Sequence, residues 1–145
     1  MATLFTIGYE KLLPGALAAE LQAAGVQRVI DVRFRPQSRR PGMSKTRLGE
    51  LLGDHGIAYE HRRALGTPPD LRHLFHSGRV AEARDAYRAH VEETAGDELD
   101  TLAAELDTAP PTALLCLEED PAGCHRRVVA EQLRVRRPGL EVVDL

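Results

Sequence analysis

The chain has 145 residues, enough for one domain (residues 1–145) with its own core, and its content of 43% hydrophobic and 28% charged residues is ordinary for a globular protein. No apolar stretch reaches the ~20 residues that span a bilayer and the N-terminus lacks a signal-peptide pattern, so the sequence predicts a cytoplasmic protein with no membrane partner. The net charge of −3 excludes a generic binder of polyanions.

The first half of the chain alternates strands with helices. Hydrophobic periodicity predicts a strand at residues 2–7, a helix at residues 12–24 and a strand at residues 26–32. This spacing suits a right-handed βαβ unit. Two prolines and a glycine predict a loop at residues 34–44, and Ser44 is the predicted N-cap of a helix that continues to Asp54.

The second half continues the alternation. It contains a predicted strand at residues 57–61, an irregular stretch at 65–78, helices at 80–94 and 97–106, a strand at 112–117, a helix at 124–135 and a strand at 140–143. Alternating strands and helices favour a mostly parallel sheet with helices on both faces. The predicted fold is therefore a single-domain, Rossmann-like three-layer α/β sandwich.

Charge is distributed unevenly along the chain. Residues 28–63 contain nine Lys or Arg and four acidic residues, whereas residues 82–120 contain two basic and twelve acidic residues. A local basic surface is therefore available for one ligand, such as a phosphate-bearing small molecule or a nucleic-acid end.

The stretch of residues 116–127 gives the strongest indication of chemistry. It passes from the end of a buried strand, through a turn, to a helix that is predicted to begin at Cys124. In open α/β sheets this junction forms the ligand crevice, and a helix N-terminus attracts anions. Cys124 is a candidate nucleophile, since a helix start and neighbouring arginines favour a thiolate. Glu118 is a candidate catalytic carboxylate, and His125 and Arg126 are candidate ligand contacts.

Each of these residues also has a plainer interpretation. Cys124 could be a small residue packed at a helix start, and Cys116 a core residue of its strand. The two cysteines need not form a disulfide, and a reducing compartment argues against one. A metal site is disfavoured, because the spacing is not C-x-x-C and Cys124 and His125 should point apart on a helix. No metal or cofactor is therefore predicted.

Other candidates come from the remaining strand ends and from the loop at residues 34–44, which is rich in arginine and is called the basic loop below. Asp31 and Arg33 follow the second strand and share one face, so Asp31 is a candidate catalytic residue and Arg33 a ligand contact. The plainer interpretation is an internal ion pair between Arg33 and a nearby acid. Further candidate ligand contacts, each of which could instead be structural or solvated, are Gly8, Tyr9, Ser38, Arg39, Ser44 and His61.

Several short motifs extend along nearly the whole chain. They are Thr6-Ile7-Gly8-Tyr9, Asp31-Val32-Arg33, Pro36-Gln37-Ser38-Arg39, Pro41-Gly42-Met43-Ser44, Gly56-Ile57-Ala58-Tyr59-Glu60-His61, and Cys116 and Glu118 with Cys124-His125-Arg126. This set resembles the family known as domain of unknown function 488. The chain departs from the family pattern at Thr67, where a second glycine is usual, which argues against a ligand role for that turn. The resemblance implies a fold and a site location rather than a reaction.

The sequence leaves three functions open. The first is an enzyme that acts on a nucleotide, nucleoside or nucleic-acid-derived substrate by hydrolysis or group transfer. The others are a non-catalytic nucleotide or nucleic-acid binding module and a thiol-based redox sensor. The chain contains neither a P-loop nor a G-x-G-x-x-G motif, which disfavours a kinase or an ordinary NAD enzyme.

Overall fold

The computed structural model describes residues 2–145, and within them it contains five strands and six α-helices. Strands β1 to β5 are Thr3–Gly8, Arg28–Asp31, Ala58–His61, Thr112–Cys116 and Glu141–Asp144. Helices α1 to α6 are Pro14–Ala23, Lys45–Asp54, Pro69–His76, Val80–Thr94, Gly96–Glu105 and Arg126–Arg136. None of these helices is both long and apolar enough to cross a membrane.

The strands are all parallel and pair in the order β3-β2-β4-β1-β5. The chain leaves β1 through α1 toward β2 on one side, whereas it leaves β4 through α6 toward β5 on the other side. Helix α1 packs on one face of the sheet and α6 on the other, so the connections from the neighbours β1 and β4 diverge to opposite faces. Sheets of α/β proteins bind ligands at the carboxyl ends of such a pair. Gly8 and Cys116 are register partners at that end.

Helices cover both faces of the sheet, because apolar residues recur three or four residues apart along the helices that pack on it. On one face α1 and α2 contribute Leu17, Leu21, Leu48 and Leu52 to a core with Val29, Ala113 and Leu115. On the other face α4, α5 and α6 contribute Tyr87, Leu99, Leu102, Val128 and Leu133 to a core with Ile30 and Leu114. The predicted three-layer α/β sandwich is confirmed.

Two element predictions are wrong. The stretch predicted to be irregular contains α3, which has Pro69 in its first turn, where a proline is compatible with a helix. The helix predicted to begin at Cys124 begins at Arg126, since Pro121–Gly123 forms a 3₁₀ turn first. Cys124 is extended, with φ −129° and ψ 146°, so its thiol does not lie in the first helical turn.

Two glycines allow the loops at the carboxyl end of the sheet to approach each other. A Cβ on Gly8 would lie 1.7 Å from the carbonyl oxygen of Glu118, so only glycine lets the loop after β4 cross the end of β1. A Cβ on Gly66 would lie 2.3 Å from the Cα of Phe34. These contacts bring the loops after β1, β2, β3 and β4 together around one space.

Candidate functional site

A cleft opens at the carboxyl ends of β1, β2 and β4, at the divergence of the connections. It is a concave space that is partly open to solvent. Among the predicted site residues, the cleft is lined by Tyr9, Arg33, Glu118, Cys124 and His125. The structure therefore brings together residues that are distant in the sequence.

Two cysteines and a histidine form the floor of the cleft. The structure pairs Cys116 and Cys124 as a disulfide, with Cα atoms 7.6 Å apart, which corrects the expectation of two separate thiols. Both cysteines are 1% exposed. The Cys124 sulfur lies 3.7 Å from Nδ1 of His125, so these neighbours do not point apart. They converge because Cys124 is extended rather than helical.

His125 is held in one orientation by a backbone carbonyl. Its Nε2 lies 2.6 Å from the carbonyl oxygen of Val32, and a carbonyl can only accept, so Nε2 carries the proton. In the neutral ring Nδ1 then has a free lone pair directed at the Cys124 sulfur. Burial lowers the pKa of His125 below its ordinary value, despite the opposing effect of the Val32 contact.

Arg126 is fully buried beneath the floor, which differs from the ligand contact that the sequence predicts. Its side chain donates hydrogen bonds to the hydroxyl of Thr6, the Cys116 sulfur and the carbonyl oxygens of Glu118 and Glu119. Its backbone N–H lies 3.5 Å from the Cys124 sulfur. Burial lowers the pKa of Arg126. These contacts fix the loop between β4 and α6.

Asp31 and Arg33 form a buried ion pair behind the opposite wall. Nε and Nη2 of Arg33 donate to the two carboxylate oxygens of Asp31 at 2.9 and 2.7 Å. Asp31 also accepts from the Tyr59 hydroxyl, and Arg33 donates to the carbonyl of Met43 and lies beneath the Tyr9 ring. Burial opposes the Arg33 charge, but the contacts with Asp31 outweigh it and raise the pKa of Arg33.

The basic loop contributes less to the cleft than the sequence predicts. Ser38 and Ser44 bond to each other and lie outside the lining. Ser44 is at the predicted N-cap position of α2, although its hydroxyl makes no capping bond. Arg39 is exposed and also outside the lining. His61 contacts the carbonyl oxygen of Arg33 at 2.7 Å, which fixes the backbone that follows β2.

Sequence reasoning missed the residues at the mouth of the cleft. Arg35 and Arg72 line the mouth and are exposed, and neither makes an ion pair with any of residues 2–145. Thr67 lines the same space, is 5% exposed, and its buried hydroxyl has no hydrogen-bond partner in the part of the chain described. The only signal in the sequence was the departure from the family pattern at Thr67. That departure argued against a ligand role for the turn, whereas the structure places Thr67 in the cleft.

Glu118 connects the floor to the mouth. One of its carboxylate oxygens lies 3.6 Å from the Cys116 sulfur, and the other lies 3.3 Å from Nε2 of His76. The side chain is 26% exposed, so it is accessible to a ligand in the cleft. Cys116, Cys124 and His125 place their donor atoms within 4.8 Å of one another, and this set could hold a metal ion.

Comparison with known proteins identifies the family of the chain. No curated protein and no solved structure matches it. A family profile described as "Domain of unknown function DUF488" matches residues 15–133. The match covers β2 to β4, the basic loop, α3 and the turn that carries Cys124 and His125. The chain belongs to the DUF488 family.

Proposed function

We propose that the protein is an enzyme that acts by hydrolysis or group transfer on a nucleotide, nucleoside or nucleic-acid-derived substrate in this cleft. The observation that carries the proposal is the arrangement of one cleft, with reactive groups buried at its floor and unpaired cations at its mouth. Pockets with convergent polar groups at the switch point of an α/β sheet are the usual catalytic sites of such folds.

The side chains at the mouth of the cleft are suited to bind a phosphate group of the substrate. Two guanidiniums, from Arg35 and Arg72, remain unpaired there in a chain whose net charge is −3, and guanidinium geometry suits phosphate oxygens. Thr67 adds a buried hydroxyl without a partner. Leaving such a group unsatisfied costs about 1–3 kcal/mol, and a phosphate oxygen would remove that cost.

Aromatic side chains in the cleft favour a substrate that carries a nucleobase. Three aromatic residues line the cleft, of which Tyr9 and Phe75 are buried and Phe34 is partly exposed. Aromatic faces stack on nucleobases without strong sequence preference. One face of Phe34 is already covered by the guanidinium of Arg63, whose Cζ lies 4.3 Å from the ring centroid, so a base would contact the remaining aromatic surface.

We assign proton transfer to Glu118, because it is the carboxylate that lies both at the floor and within reach of solvent. Cys124 is not assigned as the attacking group, since its sulfur is buried and paired with that of Cys116. Asp31 is assigned a positioning role, because four hydrogen bonds from Arg33 and one from Tyr59 saturate its carboxylate.

Measurements of nucleotide binding test the proposed phosphate site at the mouth of the cleft. We expect a nucleoside monophosphate to raise the melting temperature more than the matching nucleoside does. Replacing Arg72 with Ala should weaken binding of the monophosphate about 10- to 100-fold, as expected for the loss of one charge-assisted contact. Thr67→Val should weaken it about 5-fold. Titration calorimetry with each variant measures both effects.

Arg47→Ala is the matched control, since Arg47 is exposed on α2 and lies outside the cleft lining. Equal affinity of the wild type, Arg72→Ala and Arg47→Ala for the monophosphate would argue against the proposed mouth. Binding that survives Glu118→Gln while turnover of a nucleotide panel is lost supports an enzyme. Binding without turnover in the wild type would instead identify the non-catalytic module.

A thiol-based redox function is the second candidate, and the pairing of Cys116 with Cys124 is the observation that favours it. In this case a dithiol and a disulfide would interconvert by two electrons and two protons, with a cellular thiol as the reductant. Alkylation followed by mass spectrometry, after equilibration in glutathione buffers, would give the fraction of each form. A redox sensor should respond to this poise.

A further inference from the structure

We propose that the reduced forms of Cys116 and Cys124, together with His125, bind one divalent transition metal ion, with zinc as the best match. The two thiolates and the imidazole are its protein ligands, and a fourth position faces the cleft. Only the catalytic role of this ion depends on the proposed function. The binding itself is argued from the floor of the cleft alone.

The donor atoms have the spacing that a tetrahedral ion needs. Zinc–sulfur bonds of about 2.3 Å and zinc–nitrogen bonds of about 2.1 Å place neighbouring donors about 3.5–3.8 Å apart. The Cys124 sulfur and Nδ1 of His125 already have this spacing, at 3.7 Å, and the third donor lies within 4.8 Å of both. The two sulfurs are bonded to each other in the disulfide, so they must separate on reduction before both can bind one ion. Two thiolates with one imidazole form a soft donor set that selects zinc over calcium or magnesium.

The backbone positions of the two cysteines also fit a shared ion. Their Cα atoms are 7.6 Å apart, whereas most disulfides have Cα atoms about 4.4–6.8 Å apart. An atom between the two sulfurs suits this longer separation. Metal binding requires that a thiol or phosphine reductant first supplies two electrons and two protons to the pair. Coordination then releases both thiol protons to solvent.

The groups around the donors are arranged as they are around bound metals. Nε2–H of His125 donates to the Val32 carbonyl, which fixes the ring so that Nδ1 is the ligand atom. Arg126 donates to both sulfurs, from its backbone N–H to Cys124 and from Nη1 to Cys116. N–H donors and a positive charge at a sulfur stabilise the thiolate, which is the form that binds metal.

Three protein ligands and an open fourth position are typical of catalytic rather than structural zinc. All three residues line the cleft, so the fourth position of the proposed ion would face it. Glu118 lies 3.6 Å from the Cys116 sulfur and remains partly exposed. It is placed to accept a proton from a metal-bound water, whose pKa a zinc ion lowers toward 7.

Cobalt uptake by the purified full chain tests the site, since Co²⁺ bound to thiolates gives a sulfur-to-metal charge-transfer band. We expect about one equivalent per chain in wild-type protein kept reduced with a phosphine, and zinc should displace it. The same protein, oxidised to the disulfide, should bind none. Cys124→Ser and His125→Gln should weaken binding by more than the roughly 10- to 100-fold seen when an outer partner is lost.

His55→Gln is the matched control, because His55 is exposed at the end of α2 and should leave uptake unchanged. The comparison of reduced and oxidised wild type needs no variant, so a variant that fails to fold does not weaken the test. Reduced, folded wild type that takes up no cobalt would overturn the proposal. Bound metal without turnover would refute the proposed enzyme alone, and turnover in metal-free protein would refute the catalytic role of the ion alone.

Discussion

Replacing Arg126 with Met should lower the free energy of unfolding by about 3 kcal/mol. The substitution keeps most of the buried volume but removes every guanidinium hydrogen bond, and each buried acceptor left unpaired costs about 1–3 kcal/mol. The acceptors are the Thr6 hydroxyl, the Cys116 sulfur and two carbonyls of the loop that joins β4 to α6. Urea denaturation followed by circular dichroism measures the loss.

Arg127→Met is the matched control for Arg126→Met. Arg127 is adjacent and half-buried, but its side chain makes no hydrogen bond or ion pair with any residue in the range 2–145. Its substitution should change the free energy of unfolding by less than about 0.5 kcal/mol. A similar, small effect at both positions would mean that Arg126 does not hold the loop, and its role as a ligand contact would need to be reconsidered.

The same arginine illustrates how far the sequence is informative. A basic residue in a first helical turn opposes the helix dipole, so the sequence correctly indicates that Arg126 has an unusual partner. It does not indicate whether the partner is a ligand or the protein itself. The actual partners include two backbone carbonyls, and every residue has a carbonyl. Only the path of the chain decides which carbonyls meet the guanidinium.

The fold was predictable because its signals are local. Apolar runs of strand length, helical spacing of leucines and the prolines and glycines between them each lie within about 15 residues, and they predict the strands and five of the six helices found in residues 2–145. The exception is α3, where Pro68 and Pro69 suggested a loop. Pro69 is compatible with a helix only because it occupies the first turn.

The cleft was predictable in its location but not in its chemistry. Its position follows from the strand order, and parallel strands place their carboxyl ends at one edge. The contact between Cys124 and His125 depends on one extended residue, which the helix prediction concealed. The mouth was missed because Arg35, Thr67 and Arg72 belong to no motif. They meet only where Gly66 lets its loop approach Phe34.

Replacing Asp31 with Asn should lower the free energy of unfolding by about 3–5 kcal/mol, the usual cost of leaving one partner of a buried ion pair uncompensated. The carboxylate is fully buried and neutralises Arg33, whose remaining contacts are the Met43 carbonyl and the Tyr9 hydroxyl. Urea denaturation again provides the measurement. Glu60→Gln, which removes the carboxylate of an exposed ion pair with Arg62, should cost less than about 1 kcal/mol.

The double variant Asp31→Asn/Arg33→Met separates a structural role of Asp31 from a catalytic one. If Asp31 serves to neutralise Arg33, removing both charges should recover part of the loss, because no unpaired charge then remains buried. A coupling energy near zero between the two substitutions would show that Asp31 does not act through Arg33. If Asp31→Asn instead abolished turnover with little loss of stability, the carboxylate would act on the substrate, and the positioning role assigned to it here would be wrong. The buried geometry favours the first outcome, since every hydrogen bond that the Asp31 carboxylate accepts comes from the protein itself: from Tyr59 and from the backbone and side chain of Arg33.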